Sequence, residues 1–186
     1  MKKILVAFAA VAFAAVAQAA SINWAVGANS WTLADGTKAA KGTTVYLIDA
    51  ASWSTIETSI LAGTTSFTTS DTGVLAVGAT SNTKGQILSN TATSTQLTAG
   101  TSYNFAYLVI DGDNYFASAT KTQAAYDTSD PVYSEVNSIT FDAATFTSTS
   151  GLTGGTWQSS AAVPEPTSAL LLLLGVAGVA LRRKQA

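Results

Sequence analysis

The chain has 186 residues, 47% of them hydrophobic and 11% charged, with no cysteine and no histidine. Those two absences exclude disulfides, the usual Ser-His and Cys-His nucleophile pairs, and thiolate or imidazole metal sites within the chain itself. The net charge of −2 hides an asymmetry: residues 21–163 carry ten acids against four lysines, and five of the nine basic residues sit at the two termini. So acidic a middle argues against nucleic acid and anionic lipid head groups as partners.

Met1-Lys2-Lys3 opens with two cations, and an apolar stretch follows from Ile4 to Ala17. It closes on Ala17-Gln18-Ala19, with small side chains at the two positions, Ala17 and Ala19, that a signal peptidase reads. Residues 1–19 are therefore expected to form a signal helix that is cut off after Ala19, with Ala20 as the neighbouring alternative.

From Ser21 to Ser160 the composition changes, with 27 threonines and 19 serines between alternating apolar residues and frequent glycines. That pattern favours strands joined by turns. Strands are expected at Ile22 to Val26, Ser30 to Leu33, Thr43 to Asp49, Val74 to Val77, Gly85 to Leu88, Ser102 to Ile110, Tyr115 to Thr120, Val132 to Val136, Ser138 to Phe141 and Thr145 to Thr149. The stretch Tyr103 to Ile110 is apolar on both faces after Asn104, which places it at the centre of the core. Asp111-Gly112-Asp113-Asn114 then reads as a hairpin turn into Tyr115, because Gly and Asn tolerate positive φ.

One segment follows a helical pattern. Ser54-Thr55-Ile56-Glu57 has the spacing of a capping box, Ile56, Ile60 and Leu61 share a helical face, and Gly63 suits the C-terminal cap. A short helix from Thr55 to Ala62 is expected to close one end of the sheets. After Trp157, the run Gln158-Ser159-Ser160-Ala161-Ala162 has no periodicity and reads as linker.

Candidate chemistry in the middle is sparse. A Ser-Lys pair is formally open, but Lys38, Lys41, Lys84 and Lys121 lie in polar surroundings expected to be solvated. Asp111 and Asp113 flank Gly112 and offer oxygen ligands to Ca²⁺, yet such sites need about six to eight oxygens and Asn114 adds one more. These acids, like Asp127 and Asp130 before Pro131, are read as turn formers. No metal and no cofactor are expected, and no spacing among the ten acids selects a glycosidase pair. Trp24, Trp31, Trp53 and Trp157 are expected mainly in the core, the alternative being a platform on which sugar rings stack.

The C-terminus carries the most specific pattern. Pro164-Glu165-Pro166 is followed by 13 uncharged residues, Ala169 to Leu181, and then by Arg182-Arg183-Lys184. As a helix the apolar run would measure about 20 Å, short of the ~20 residues that span a bilayer comfortably, and the three cations act as a stop-transfer signal. With Lys2-Lys3 and Arg182-Arg183-Lys184 both held inside, the segment between them belongs outside.

The tail Val163 to Ala186 resembles the PEP-CTERM sorting signal: a Pro-Glu-Pro triplet, a short apolar helix and a terminal basic cluster. The resemblance implies a Gram-negative-type bacterium, recognition by an exosortase at the inner membrane, removal of the tail, and delivery to the cell surface or its exopolysaccharide layer. It implies nothing about the preceding domain.

The reading is an all-β protein: a signal peptide (1–19), one antiparallel β-sandwich, jelly-roll-like or Ig-like, with one short helix (20–160), a linker bearing the triplet (161–168), a transmembrane or sorting helix (169–181) and a basic cytoplasmic tail (182–186). The expected function is that of a non-enzymatic structural protein of the cell surface or extracellular matrix, with signal peptidase and an exosortase-type enzyme as partners and the inner membrane as a transient or stable anchor. A carbohydrate-binding module for exopolysaccharide is the alternative, and a carboxylate-based hydrolase the more distant one.

Overall fold

The computed structural model describes residues 19–127, 129, 138–142 and 152–160. Strands β1 (Ala20–Val26), β4 (Ile87–Ser94) and β8 (Ser138–Phe141) form a three-stranded sheet in the order β4-β1-β8. A larger sheet has β2 (Thr44–Asp49), β3 (Val74–Ala79), β5 (Ser102–Asp111), β6 (Asn114–Ala117) and β9 (Gln158–Ser159) in the order β3-β2-β5-β6-β9. Its sixth strand, β7 (Lys121–Ala124), pairs with the first half of β5 from Ser102 to Phe105, while β6 pairs with the second half from Leu108 to Asp111. Among the described residues the one α-helix is α1 (Trp53–Leu61), entered through a single 3-10 turn at Ala50–Ser52.

Alternation along β2 and β5 explains the layering. Successive side chains of a strand point to opposite faces. Val45 and Leu47 of β2, with Phe105, Tyr107 and Val109 of β5, join a core shared with Ile22, Trp24 and Val26 of β1 and Ile139 and Phe141 of β8. The residues between them, Tyr46, Ile48, Ala106 and Leu108, face the other way and pack with Trp53, Ile56 and Ile60 of the helix. The large sheet is thus buried on both faces, which is why β5 reads as a continuous apolar run. Fully burying each such side chain contributes about 1.5–3 kcal/mol relative to exposure.

Several expectations need correction. The helix covers the outer face of the large sheet and does not close an end, because Ile56 and Ile60 find the second apolar face of β2 and β5 there. It also starts earlier, at Trp53, with Ser52 at the N-cap making no side-chain cap bond, while the Asp49 carboxylate accepts from the Ala51 N–H at the preceding 3-10 turn. Leu61 is 56% exposed, outside the buried face. Gly63, by contrast, has the left-handed φ of 98° expected of a helix-terminating glycine.

Pairing is not antiparallel throughout: β1 runs parallel to β8. A parallel pair needs a crossover connection, and here the intervening chain supplies β4 to the same sheet and β2, β3, β5, β6 and β7 to the large one before β8. Ser30 to Leu33 forms no strand. Trp31 is instead buried in the shared core from an irregular segment, its indole N–H donating to the Gly85 carbonyl at 2.9 Å.

The C-terminal segment, expected to be loose after Trp157, is tied down through Ser160. Gln158–Ser159 pairs with Tyr115 and Asn114, and the Ser160 N–H and hydroxyl both donate to the Asp113 carbonyl, at 2.7 and 2.8 Å. The expected hairpin is present, with Asp111 paired to Asn114 and Gly112 at φ 58°. Val132 to Val136, Thr145 to Thr149 and both terminal helices lie outside the described residues.

The helix is tied to the sheet by a polar contact as well. The Tyr115 hydroxyl donates to Glu57 Oε1 at 3.0 Å, and burial, followed by the Glu57 hydrogen bond and charge, pushes the phenol up to about 12. An unfolded tyrosine ionises near 10, so the unfolded chain releases its proton first and folding stability falls as pH rises from about 10 to 12. The melting temperature is expected to be flat between about pH 7 and 9 and to drop above 10. Tyr115→Phe should make that drop shallower, whereas an identical alkaline profile in the variant would remove Tyr115 from the account.

Candidate functional site

The four tryptophans separate into two environments. Trp24 is fully buried and Trp53 nearly so, each with an indole N–H that has no hydrogen-bond partner. Such an unsatisfied donor is tolerated only where ring packing outweighs it. Gly78 of β3 lies against the Trp24 ring so closely that an added Cβ would sit 3.1 Å from it. These two indoles are core.

Trp31, buried in the shared core, and half-buried Trp157 both pack against Phe116. With Phe116 between them, they line a cavity of about 400 Å³ whose remaining wall is Asn29, Ser30, Thr32, Gly154 and Gly155. Ring centroids are 6.5 Å apart for Trp31 and Phe116, at 30°, and 5.5 Å apart for Phe116 and Trp157, at 39°. Both indole N–H groups are satisfied by backbone carbonyls: Trp31 by Gly85, and Trp157 by Thr32 at 2.8 Å. Beneath them Tyr107 packs 5.5 Å from Phe116, its phenol pushed far up by burial, with the Ser30 hydroxyl opposing that rise in part.

Each wall has a local cause. Asn29 takes a left-handed φ of 59° and its N–H donates to the Lys84 carbonyl at 2.7 Å, which turns the chain so that Trp31 points inward. On the other side Leu152 is buried, the Ala117 N–H donates to the Thr153 hydroxyl at 2.6 Å and the Gly155 N–H to the Ala117 carbonyl at 2.9 Å. Those bonds set the Gly154-Gly155 turn, at φ 62° and 89°, that carries Trp157 over Phe116.

Other candidates from the sequence fall elsewhere. Asp111 and Asp113 are at the hairpin, where the Asp113 backbone carbonyl is taken by Ser160. Among the described residues no group of three acids is placed to hold a metal ion. Asp127 accepts from the Ser129 N–H and hydroxyl, both at 2.8 Å, which holds its carboxyl below the usual range, as expected of a turn former. Asp130 lies outside the described residues. Lys38, Lys41 and Lys84 are exposed, whereas Lys121 is half-buried and its Nζ donates to the Thr140 carbonyl across β7 and β8.

Ala19 is half-buried directly before β1, whereas Ala17, the triplet Pro164, Glu165, Pro166 and the cluster Arg182, Arg183, Lys184 lie outside the described residues. Among those that are described, no helix is long and apolar enough to cross a membrane.

The tail, Val163 to Ala186, begins three residues past Ser160, where the folded structure is pinned to the hairpin, and its three ordered parts are those of a protein-sorting signal. Residues 162–184 match the family model of the PEP-CTERM protein-sorting motif, so the chain carries a PEP-CTERM tail, the mark of an exported protein handled by an exosortase-type processing enzyme at the membrane. No curated protein and no solved structure matches the chain.

Proposed function

We propose that the chain is a non-enzymatic structural protein of the cell surface or extracellular matrix of a Gram-negative-type bacterium, a β-sandwich backed by one helix and delivered by an exosortase system. The observation that carries this reading is the PEP-CTERM tail set directly behind a folded, hydroxyl-rich, acidic sheet structure. Signal peptidase removes 1–19, the tail holds the protein at the inner membrane through 169–181 and 182–186, and the sorting enzyme acts at Pro164-Glu165-Pro166.

Geometry supports both ends of this processing. Ala20 is 1% exposed and pairs with Ser94, and the Ser21 N–H donates to the Tyr126 carbonyl at 2.8 Å. A cut after Ala19 leaves that first strand whole, whereas a cut after Ala20 removes a core residue. At the other end, Ser160 to Pro164 is at most about 14 Å of chain, so the sorting enzyme works close beside the folded structure. The prolines disfavour helix at the triplet and keep it extended for recognition.

Peptide mapping of the protein from its native host tests the reading. The mature chain should begin at Ala20 and end near the triplet. Recovery of the Arg182 to Ala186 peptide on most surface-located molecules would leave a permanent anchor and no sorting step.

A further inference from the structure

We propose that β9 is a latch on the sorting reaction: the segment Thr156 to Ser160 must peel from β6 before the membrane enzyme can cut at Pro164-Glu165-Pro166. This rests on the sorting reading above and adds to it the step that sets the rate.

The two ends of the folded structure lie far apart. The Ser102 end of β5 pairs with Ala124, and Tyr126, just beyond, bridges to Ser21. The Asp111 end pairs with Asn114, which pairs in turn with Ser159. Ala20 and Ser160 are thus separated by roughly the length of β5, ~30 Å for a 10-residue strand. Once the signal peptide is gone the chain is tethered through its tail alone, so the end nearest the membrane is the hairpin from Asp111 to Asn114 with β9 beside it.

Reach is the difficulty at that end. Ser160 is pinned to the Asp113 carbonyl through both its N–H and its hydroxyl, and Pro164 follows at most about 14 Å further along the chain. An enzyme that cuts a chain works on an extended, accessible stretch, and residues held in a fold are cut only in their locally opened form. With β9 docked, the hairpin stands where the enzyme would hold the residues before the triplet. Peeling back to Gly155 extends the free run before the triplet to about 30 Å.

The segment is built to open and to stop opening at a defined point. β9 is two residues long, both exposed and polar, at the edge of the large sheet, so its pairing buries little. Upstream, Leu152 is buried, and the Thr153 hydroxyl and the Gly155 N–H are both bonded to Ala117, which ends the peel there. Gly154 and Gly155, both with left-handed φ, supply the hinge. Between hinge and strand, half-buried Trp157 is the clasp: it lies over Phe116 and its indole N–H donates to the Thr32 carbonyl at 2.8 Å. An edge element with so few apolar contacts belongs to the low-stability end of a fold.

The chain has no cysteine, so the latch can be locked by one new disulfide. Asn114 and Ser159 are cross-strand partners, and such pairs have Cα atoms about 4.5–5.5 Å apart, within the span of a disulfide. The test follows loss of the tail by pulse-chase and intact mass in the native host, for the full-length parent, the double variant Asn114→Cys and Ser159→Cys, and Trp157→Leu. The oxidised double variant is expected to lose its tail at least about tenfold more slowly than the parent, because cleavage follows the open population. Dithiothreitol should return it to the rate of the parent in the same reductant. Trp157→Leu, which loosens the clasp seven residues before the triplet, is expected to be cut at least about threefold faster than the parent. Equal rates for the oxidised and reduced double variant, or a Trp157→Leu chain cut no faster than the parent, would overturn the latch while leaving the sorting reading in place. A parent that keeps its tail would overturn both.

Discussion

Replacing Leu108 with aspartate is expected to lower the stability of the folded chain by at least about 4 kcal/mol, or to prevent folding altogether. Leu108 is fully buried, paired to Tyr46 on one side and to Ala117 on the other, in the cluster that joins the large sheet to Trp53, Ile56 and Ile60 of the helix. A carboxylate there loses its water, and the described neighbours of that cluster are apolar or aromatic. Deleting the leucine's own contacts costs about 2–5 kcal/mol even when nothing polar replaces it, and an unpaired buried charge adds several more. Denaturant unfolding measures the effect, with Ser102→Asp at the exposed start of the same strand as control, expected within about 0.5 kcal/mol of the parent. Equal midpoints for the two variants would mean that β5 is not the central strand.

That strand was legible because its composition leaves no face for water, and the hairpin after it because Gly112 and Asn114 supply the turn. Strand β4 was legible only to Leu88. Its continuation Ser89-Asn90-Thr91 is exposed and polar, held by the backbone ladder to β1, and such pairing leaves no mark in hydropathy. The same holds for Lys121–Ala124 and for Gln158–Ser159, which are strands because β5 and β6 offer edges to them. The parallel β1–β8 pair has no local signal at all, since it depends on where the chain returns after building the large sheet. The sequence named all four tryptophans and placed them mainly in the core, which holds for Trp24, Trp31 and Trp53, while Trp157 is half-buried. Trp24 and Trp157 look alike in a list, and only the fold shows one under Gly78 and the other over Phe116. Phe116 escaped notice because it reads as an ordinary strand residue. The sorting motif was legible because its three ordered parts lie in one contiguous stretch of sequence.

The second large effect is expected at Gly73, which hydropathy does not distinguish from the other glycines. Its φ is 82°, its carbonyl accepts from the Asp49 N–H at 2.8 Å, and its N–H donates to Gln96 Oε1 at 2.7 Å. An added Cβ would lie 2.2 Å from the Ser52 Cβ and 2.7 Å from its hydroxyl oxygen. Two costs therefore combine in Gly73→Ala: about 1–2 kcal/mol for a left-handed L-residue and about 1–3 kcal/mol for overpacking. A loss near 3 kcal/mol is expected. Gly63 isolates the first cost, since it has a φ of 98° but nothing within 4 Å of the added atom, and Gly63→Ala should cost only about 1 kcal/mol. Ser52→Gly isolates the second. Ser52 makes no side-chain cap bond at the start of α1, and glycine serves at an N-cap at a cost of a few tenths of a kcal/mol. In the pair Ser52→Gly and Gly73→Ala the clash is gone while the backbone cost stays, so the double variant should be more stable than Gly73→Ala alone by about 1–2 kcal/mol. Additive single effects in that cycle would show that the helix start and the turn before β3 do not touch.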